Sequence, residues 1–246
     1  MQRVLLTISY DGSQFYGWQK QKTKRSVQVE VENALSRLLG KETSVVGSSR
    51  TDAGVHALGQ CAHFDCADTF PVEKFPVALN SLLSADVRIV GARKVKSDFS
   101  ARFDVKKKTY VYALGIKDPS PLYRNLCAFS RYELDLEKVR ACLELLKGKH
   151  NFKGFCSSGA QVKTFERVLY EASVKQKGDF LIFTFTGNGF LQHMVRILVG
   201  TAVDVGRGGL SLESVKEALV SGDRSKVGKT MPPQGLYLKK IYFGRR

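Results

Sequence analysis

Gly47-Ser48-Ser49-Arg50-Thr51-Asp52-Ala53-Gly54-Val55-His56 places one guanidinium and one carboxylate in a turn bounded by glycine and serine. The runs on either side, Thr43 to Gly47 and Val55 to Phe64, read as strands, so the turn joins two strands of one sheet. Where the chain through Arg50 and Asp52 is extended, side chains at i and i+2 leave on the same side, and the two charges face one space. Gly54 supplies the positive φ that turns the chain back into the second strand. Asp52 has no helix to cap, because a strand and not an amphipathic helix follows it. A carboxylate on a strand-held loop is placed as catalytic groups are, whereas a structural one caps a helix or sits in solvent.

Outward from the turn, Val4 to Ser9 alternates apolar and polar positions and ends at Asp11-Gly12, a strand running into a turn. Ser26 stands before a helical stripe of Val27, Val31, Ala34, Leu35 and Leu38, and Gly40 follows it. Pro71 fits the start of a second helix with Val72, Phe75, Leu79, Leu82 and Leu83 at helical spacing. Val87 to Val95 is a strand. The order β-α-β-β-α-β predicts a split-βαβ unit, an antiparallel sheet with both helices on one face. The second half repeats the order with insertions. Thr109 to Leu114 is a strand, Leu136 to Leu146 a helix capped by Asp135, and Val168 to Val174 with Phe180 to Phe185 a hairpin. Phe190 to Val205 is helical, an extra helix lies near Leu212 to Leu219, and Leu236 to Phe243 is the last strand. The predicted fold class is α+β, two tandem split-βαβ (ferredoxin-like or RRM-like) units, residues 1–103 and 104–246, with a cleft between them.

The 246 residues carry 39 Lys and Arg against 23 Asp and Glu, a net charge of +16 that calls for a polyanionic partner, nucleic acid or an anionic membrane. Residues 1–103 hold 14 basic and 10 acidic groups, which leaves 25 and 13, or +12, for residues 104–246. Five cysteines, an odd number, form no disulfide framework and suit a reducing compartment. No signal peptide and no apolar run of bilayer length appear, so a soluble, cytoplasmic protein is expected. Cys61-x-His63-x-x-Cys66 invites a zinc reading, but no second ligand pair has suitable spacing, and no metal is expected. Neither a Gly-x-Ser-x-Gly elbow nor a P-loop is present, which removes the warrant for serine hydrolysis and phosphoryl transfer. Gly206-Arg207-Gly208-Gly209 reads as a helix stop.

Phe15, Tyr16 and Trp18 interleave with Gln14, Gln19, Lys20, Gln21, Lys22, Lys24 and Arg25, a pattern suited to RNA unless the rings pack beneath the loop. Lys106-Lys107-Lys108 is either a solvated run or part of an RNA cleft. Arg196 lies on its helix among Leu191, Met194, Val195 and Leu198, where a guanidinium is rarely left unpaired, though its stem could also reach solvent.

Ser49-Arg50-Thr51-Asp52-Ala53-Gly54-Val55-His56-Ala57 resembles the signature of the tRNA pseudouridine synthase A family. Further stretches fall in the family's order: Tyr10-Asp11-Gly12, Gly17-Trp18-Gln19, Phe99-Ser100-Ala101-Arg102-Phe103, Lys108-Thr109-Tyr110, Gly189-Phe190-Leu191, Met194-Val195-Arg196 and Pro233-Gln234-Gly235-Leu236. The resemblance implies isomerisation of uridine to pseudouridine in the anticodon arm of tRNA, at positions 38 to 40, without metal or nucleotide cofactor. It makes Asp52 the catalytic carboxylate, Arg196 its partner, and Arg50 the side chain that enters the duplex. It puts Tyr110 on the target base and Leu236 on the other pocket wall, with Arg102 and Lys108 toward the RNA, and it implies a homodimer. Met231 departs from the smaller residue common at that position. Two other classes compete. A non-catalytic RNA reader would show basic-Gly-aromatic-Gly-aromatic on a central strand, which is absent. A peripheral membrane protein would need a basic helix with bulky apolar residues opposite, also absent.

Overall fold

The alternation of residues 4–9 and the apolar run of residues 56–64 set the centre of the first sheet. In the computed structural model, which describes residues 1–117, 120–157, 159 and 162–244, β1 (Gln2–Tyr10) carries Val4, Leu6 and Ile8 fully buried. After it come α1 (Val27–Leu39), β2 (Val46–Gly47), β3 (His56–Cys66), α2 (Phe75–Asn80) and β4 (Val87–Val95). β1 pairs antiparallel with both β3 and β4, and β2 lies antiparallel against β3, with Val46 opposite His63. β1 also buries Leu5, on the face opposite Val4, Leu6 and Ile8, so its pattern is less strict than a half-exposed strand would show.

Local chemistry shifts several predicted boundaries. Ser26 occupies the N-cap of α1 but makes no side-chain cap bond, and its buried Oγ has no hydrogen-bond partner among the described residues. Gly40 ends that helix at φ 67°, the left-handed stop glycine favours. The second helix is shorter than its apolar spacing predicts. Residues 72–74 form a single tight turn, and α2 starts afresh at Phe75 because Pro76, lacking an N–H, fits only a first helical turn. Leu82 and Leu83 both donate to the Leu79 carbonyl at 3.0 Å in a terminal turn instead of extending the helix.

The second unit is built on β5 (Val105–Gly115), β6 (Ala128–Phe129), α3 (Leu136–Leu145), β7 (Gly148–Asn151), β8 (Glu166–Lys177), β9 (Phe180–Gly187), α4 (Met194–Gly206) and α5 (Leu212–Ser221). β5, β9, β8 and β7 are neighbours in that order, all antiparallel, with Tyr110 opposite Phe185. Asp135 caps α3 as predicted, its carboxylate accepting from the N–H groups of Glu137 and Lys138. Helix α4 begins at Met194 and not at Phe190. His193 before it has φ 60°, the one positive φ outside glycine among the described residues, and this breaks the helical path.

The last strand, β10 (Leu236–Phe243), runs parallel to β3, with Tyr237 opposite His56 and Leu238 opposite Ala57. Contacts divide the chain into Met1–Lys106 with Tyr237–Arg246, and Lys107–Leu236. The sequence division at 103/104 leaves this strand in the second unit; its pairing with β3 carries residues from Tyr237 onward into the first. Among the described residues, no helix is long and apolar enough to cross a membrane.

Candidate active site

Two glycines let the loop after β1 meet the Asp52 turn backbone to backbone. A Cβ on Gly12 would lie 2.0 Å from the Val55 carbonyl oxygen, and one on Gly17, at φ 89°, would lie 2.3 Å from that of Thr51. No side chain fits there. The contact is then fastened by hydrogen bonds. Trp18 N–H donates to Thr51 O at 3.2 Å, Gly54 N–H donates to Phe15 O at 3.2 Å, and the Tyr10 and Thr51 hydroxyls lie 2.8 Å apart. From the other side, Ser48 N–H donates to Cys61 O at 2.8 Å and Gln60 Nε2 to Ser49 O at 2.7 Å, which ties the turn to β3. The stretch Tyr10 to Trp18 is therefore a mould for the turn.

Within the mould the side chains differ in exposure. Arg50 is exposed, Thr51 is buried, and Asp52 is half-buried. Val55 N–H closes on Asp52 O at 3.2 Å, and Gly54 takes φ 76°, the positive value expected of it. The aromatics of this loop divide. Phe15 and Trp18 are core side chains, each 2% exposed, with the Trp18 indole filling the space a Cβ on Gly47 would need. Packing thus accounts for these two rings. Tyr16 alone of the three faces solvent, with the Lys24 ammonium 4.5 Å from its ring centre.

Arg102, in the turn after β4, is exposed with its guanidinium 5.3 Å from the centre of the Phe103 ring. Cys61, His63 and Cys66 are explained by the strand. Cys61 and His63 share one face of β3 while Cys66 leaves on the other, and His63 Nδ1 accepts from Ala101 N–H at 3.1 Å. Burial pushes the Cys61 thiol up to about 11, so it stays protonated in the strand.

In the second unit, Lys108, Tyr110 and Tyr112 alternate along β5 and so leave one face. Tyr110 is buried, with its ring edge-on to Phe190, centroids 5.0 Å apart at 77°. The Tyr112 hydroxyl donates to Pro232 O at 2.8 Å, and burial pushes its pKa far up, so it stays a donor. Burial pushes the ammonium of half-buried Lys108 down to about 8. Lys106 and Lys107 are exposed.

Arg196, on the first turn of α4, is half-buried, and its Nε donates to Met231 O at 2.6 Å while Met231 N–H donates to Arg196 O at 3.2 Å. Two glycines again permit the approach. A Cβ on Gly200 would lie 1.9 Å from Lys229 O, and one on Gly228 2.4 Å from the Gly200 carbonyl carbon, so the segment crosses directly over the helix. Because Met231 holds Arg196 through its backbone, the departure in its side chain leaves that bond available. Pro232 and Pro233 carry the chain to Leu236, which is buried. Reading the sequence alone missed three partners: Phe190 for Tyr110, the Met231 carbonyl for Arg196, and the Pro232 carbonyl for Tyr112. Only the first had a visible signal, an aromatic in a stretch already singled out.

A family model described as tRNA pseudouridine synthase matches residues 6–104 and 142–244 of this chain. The class is therefore an isomerase that acts on tRNA. Asp52, Arg50 and Arg102 fall in the first matched stretch, Arg196 and Leu236 in the second, and Lys108 and Tyr110 between them. A tRNA pseudouridine synthase A of Anoxybacillus flavithermus is 46% identical over 244 residues, covering 99% of each chain. One from Caldicellulosiruptor bescii is 42% identical over 244 residues, covering 99% of this chain and all of its own. The chain belongs to the tRNA pseudouridine synthase family. Among solved structures, a chain of a Cbf5-Nop10-Gar1 complex covers 81% of this chain and 45% of its own at 12% identity, with a TM-score of 0.38.

Proposed function

We propose that the protein isomerises uridine to pseudouridine at positions 38 to 40 of the tRNA anticodon arm, with Asp52 as the reacting carboxylate on a base turned out of the stack. The observation that carries this reading is the half-buried Asp52 on a turn moulded by the Tyr10 to Trp18 loop, inside the signature that resembles the family's. The reaction breaks the N1 to C1′ bond, rotates the detached base and joins C5 to C1′; C5 loses a proton and N1 gains one. No redox equivalent is consumed, so neither a metal nor a nucleotide cofactor is required. A single carboxylate serves, by attack on the sugar, by attack on the base, or by taking a ribose proton.

The roles of the remaining residues come from the family resemblance, supported by their surroundings. Arg196 offsets the cost of keeping Asp52 ionised where water is partly excluded, and its fixed stem suits it to the task. Tyr110 stacks on the extruded uracil and Leu236 forms the facing wall, which restores part of the stacking lost on flipping. Exposed Arg50 enters the duplex. Arg102 and Lys108 hold the RNA. We also propose that two split-βαβ units present these groups to one nucleotide, and that the enzyme works as a homodimer in the cytoplasm. Incubating unmodified tRNA transcripts with the protein and mapping pseudouridine tests the reading. Product is expected at uridines 38 to 40; product confined to another arm would refute the assignment.

Charge supplies a second expectation. The +12 of residues 104–246 should make tRNA affinity fall steeply with salt, through release of counterions from the phosphates. Neutralising Lys106, Lys107 and Lys108 together should flatten the log–log slope by about 2, at roughly 0.7 to 0.9 for each phosphate no longer neutralised. The share due to Lys108 carries a pH signature. With its pKa lowered to about 8, its charge is present at pH 7 and mostly gone at pH 9, so binding weakens across that range. Lys108→Gln should remove that part of the pH dependence. Binding that ignores salt would point to an uncharged partner.

A further inference from the structure

Two stretches that the chemistry above leaves without a role, Asp11-Gly12 and His56, meet at the root of the Asp52 turn. His56 is 1% exposed, and its ring stacks on Tyr237 with centroids 4.6 Å apart at 20°. Its Nδ1 lies 3.0 Å from Gly12 N, whose N–H points at it, and 3.2 Å from Asp11 Oδ1. A protonated Nδ1 donates to Asp11, and a bare one accepts from Gly12; in either state the ring is bonded to the same turn. That turn is itself fixed. Asp11 Oδ1 accepts from Ser13 N–H at 2.9 Å and Ser13 Oγ at 2.6 Å, and Asp11 N–H donates to Asp86 O at 2.9 Å.

From there, short links lead to the backbone of Asp52. Gly12 abuts the Val55 carbonyl so closely that no Cβ fits between them, and Val55 N–H donates to Asp52 O. His56 is thus joined to the Asp52 backbone through one turn of chain.

We propose that His56 and the Asp11-Gly12 turn form a latch that holds the Asp52 carboxylate at its reacting position. They are positioning residues, and neither touches the substrate. The inference rests on the reading of Asp52 as the reacting group. What distinguishes a latch from a space-filling ring is dependence on Nδ1. A ring needed only for volume and for its stack on Tyr237 is replaceable by phenylalanine, whereas the latch is replaceable by an amide at the same reach.

The test compares His56→Phe, His56→Asn and Asp52→Asn in single-turnover assays on unmodified tRNA, with tRNA affinity and thermal melts measured on each. His56→Phe keeps the ring and loses the nitrogen; its single-turnover rate should fall on the order of 100-fold, the penalty of a misplaced reacting group, at unchanged tRNA affinity. His56→Asn restores a polar atom near Nδ1 and should recover most of that loss. A His56→Phe enzyme at the wild-type rate beside an inactive Asp52→Asn enzyme overturns the latch alone. A rate loss matched by an equal loss of affinity, or an Asn variant no better than the Phe variant, assigns His56 to packing and also overturns it. Turnover by Asp52→Asn would remove the underlying reading, and the latch with it.

Discussion

Asp52→Asn is expected to lower the single-turnover rate by on the order of 10⁴-fold or more, the scale seen when a reacting side chain is removed from an enzyme. The substitution keeps the volume, removes the charge and exchanges one acceptor oxygen for an NH2 donor. The turn around it is held by Thr51 O, Gly54 N–H, the Tyr10 to Thr51 hydroxyl contact and the Ser48 and Ser49 bonds to β3, and all of these survive the change. Fold and tRNA affinity should therefore persist. Tritium release from tRNA labelled at uridine C5 measures turnover, and filter binding measures affinity. A variant that still releases tritium at a substantial rate would exclude the carboxylate from the bond-making steps. One that loses affinity in proportion to rate would make Asp52 a binding residue.

Element identity is legible in the sequence wherever one local signal acts alone. Residues 87–95 and 236–243 read as strands with the bounds the structure shows, and Asp135 caps its helix. Two boundaries fail where a backbone constraint overrides side-chain spacing. Pro76 restarts the second helix inside an unbroken apolar stripe, and His193 at φ 60° delays the helix of Arg196 by four residues. Strand partners are less accessible than strands. Nothing in Leu236 to Phe243 specifies that Tyr237 will lie beside His56, because that pairing joins chain ends about 180 residues apart.

The candidate site shows the same division. Asp52 can be picked out because a carboxylate is a sequence letter, and its setting between strands is readable too. The groups that fix the site are mostly backbone: Thr51 O, Phe15 O, Met231 O and the Gly12 N–H. Every residue carries such groups, so the sequence signals them only indirectly, through glycines placed where two chains must touch. Gly12, Gly17, Gly200 and Gly228 are that signal. Phe15 and Trp18 illustrate an alternative that the sequence leaves open. Their interleaving with cations suggests RNA stacking, yet both sit in the core, because a loop pressed this closely on another needs large side chains beneath it.

Tyr110 is where packing and chemistry make separable demands. Its ring is buried edge-on against Phe190 and stands opposite Phe185 on the neighbouring strand. If the ring only filled this space, Tyr110→Leu would lower stability by about 1 to 3 kcal/mol through altered core shape and change turnover little. A melt would then shift by roughly 2 to 4 °C per kcal/mol for a chain of this size. Stacking on an extruded uracil demands more. An aliphatic side chain offers no π-face, so Tyr110→Leu should lose at least ~100-fold in single-turnover rate, beyond what its melt explains. Tyr110→Phe separates ring from hydroxyl. It keeps the contact with Phe190 and the stacking face, so fold and tRNA affinity should match wild type. If the hydroxyl takes the C5 proton, this variant should make the new bond to C1′ and stall before tritium release, with a rate loss of about 10² to 10⁴-fold. A Phe variant at the wild-type rate would assign the proton to another base and leave Tyr110 the stacking role alone, while a Leu variant at the wild-type rate would return the residue to the core.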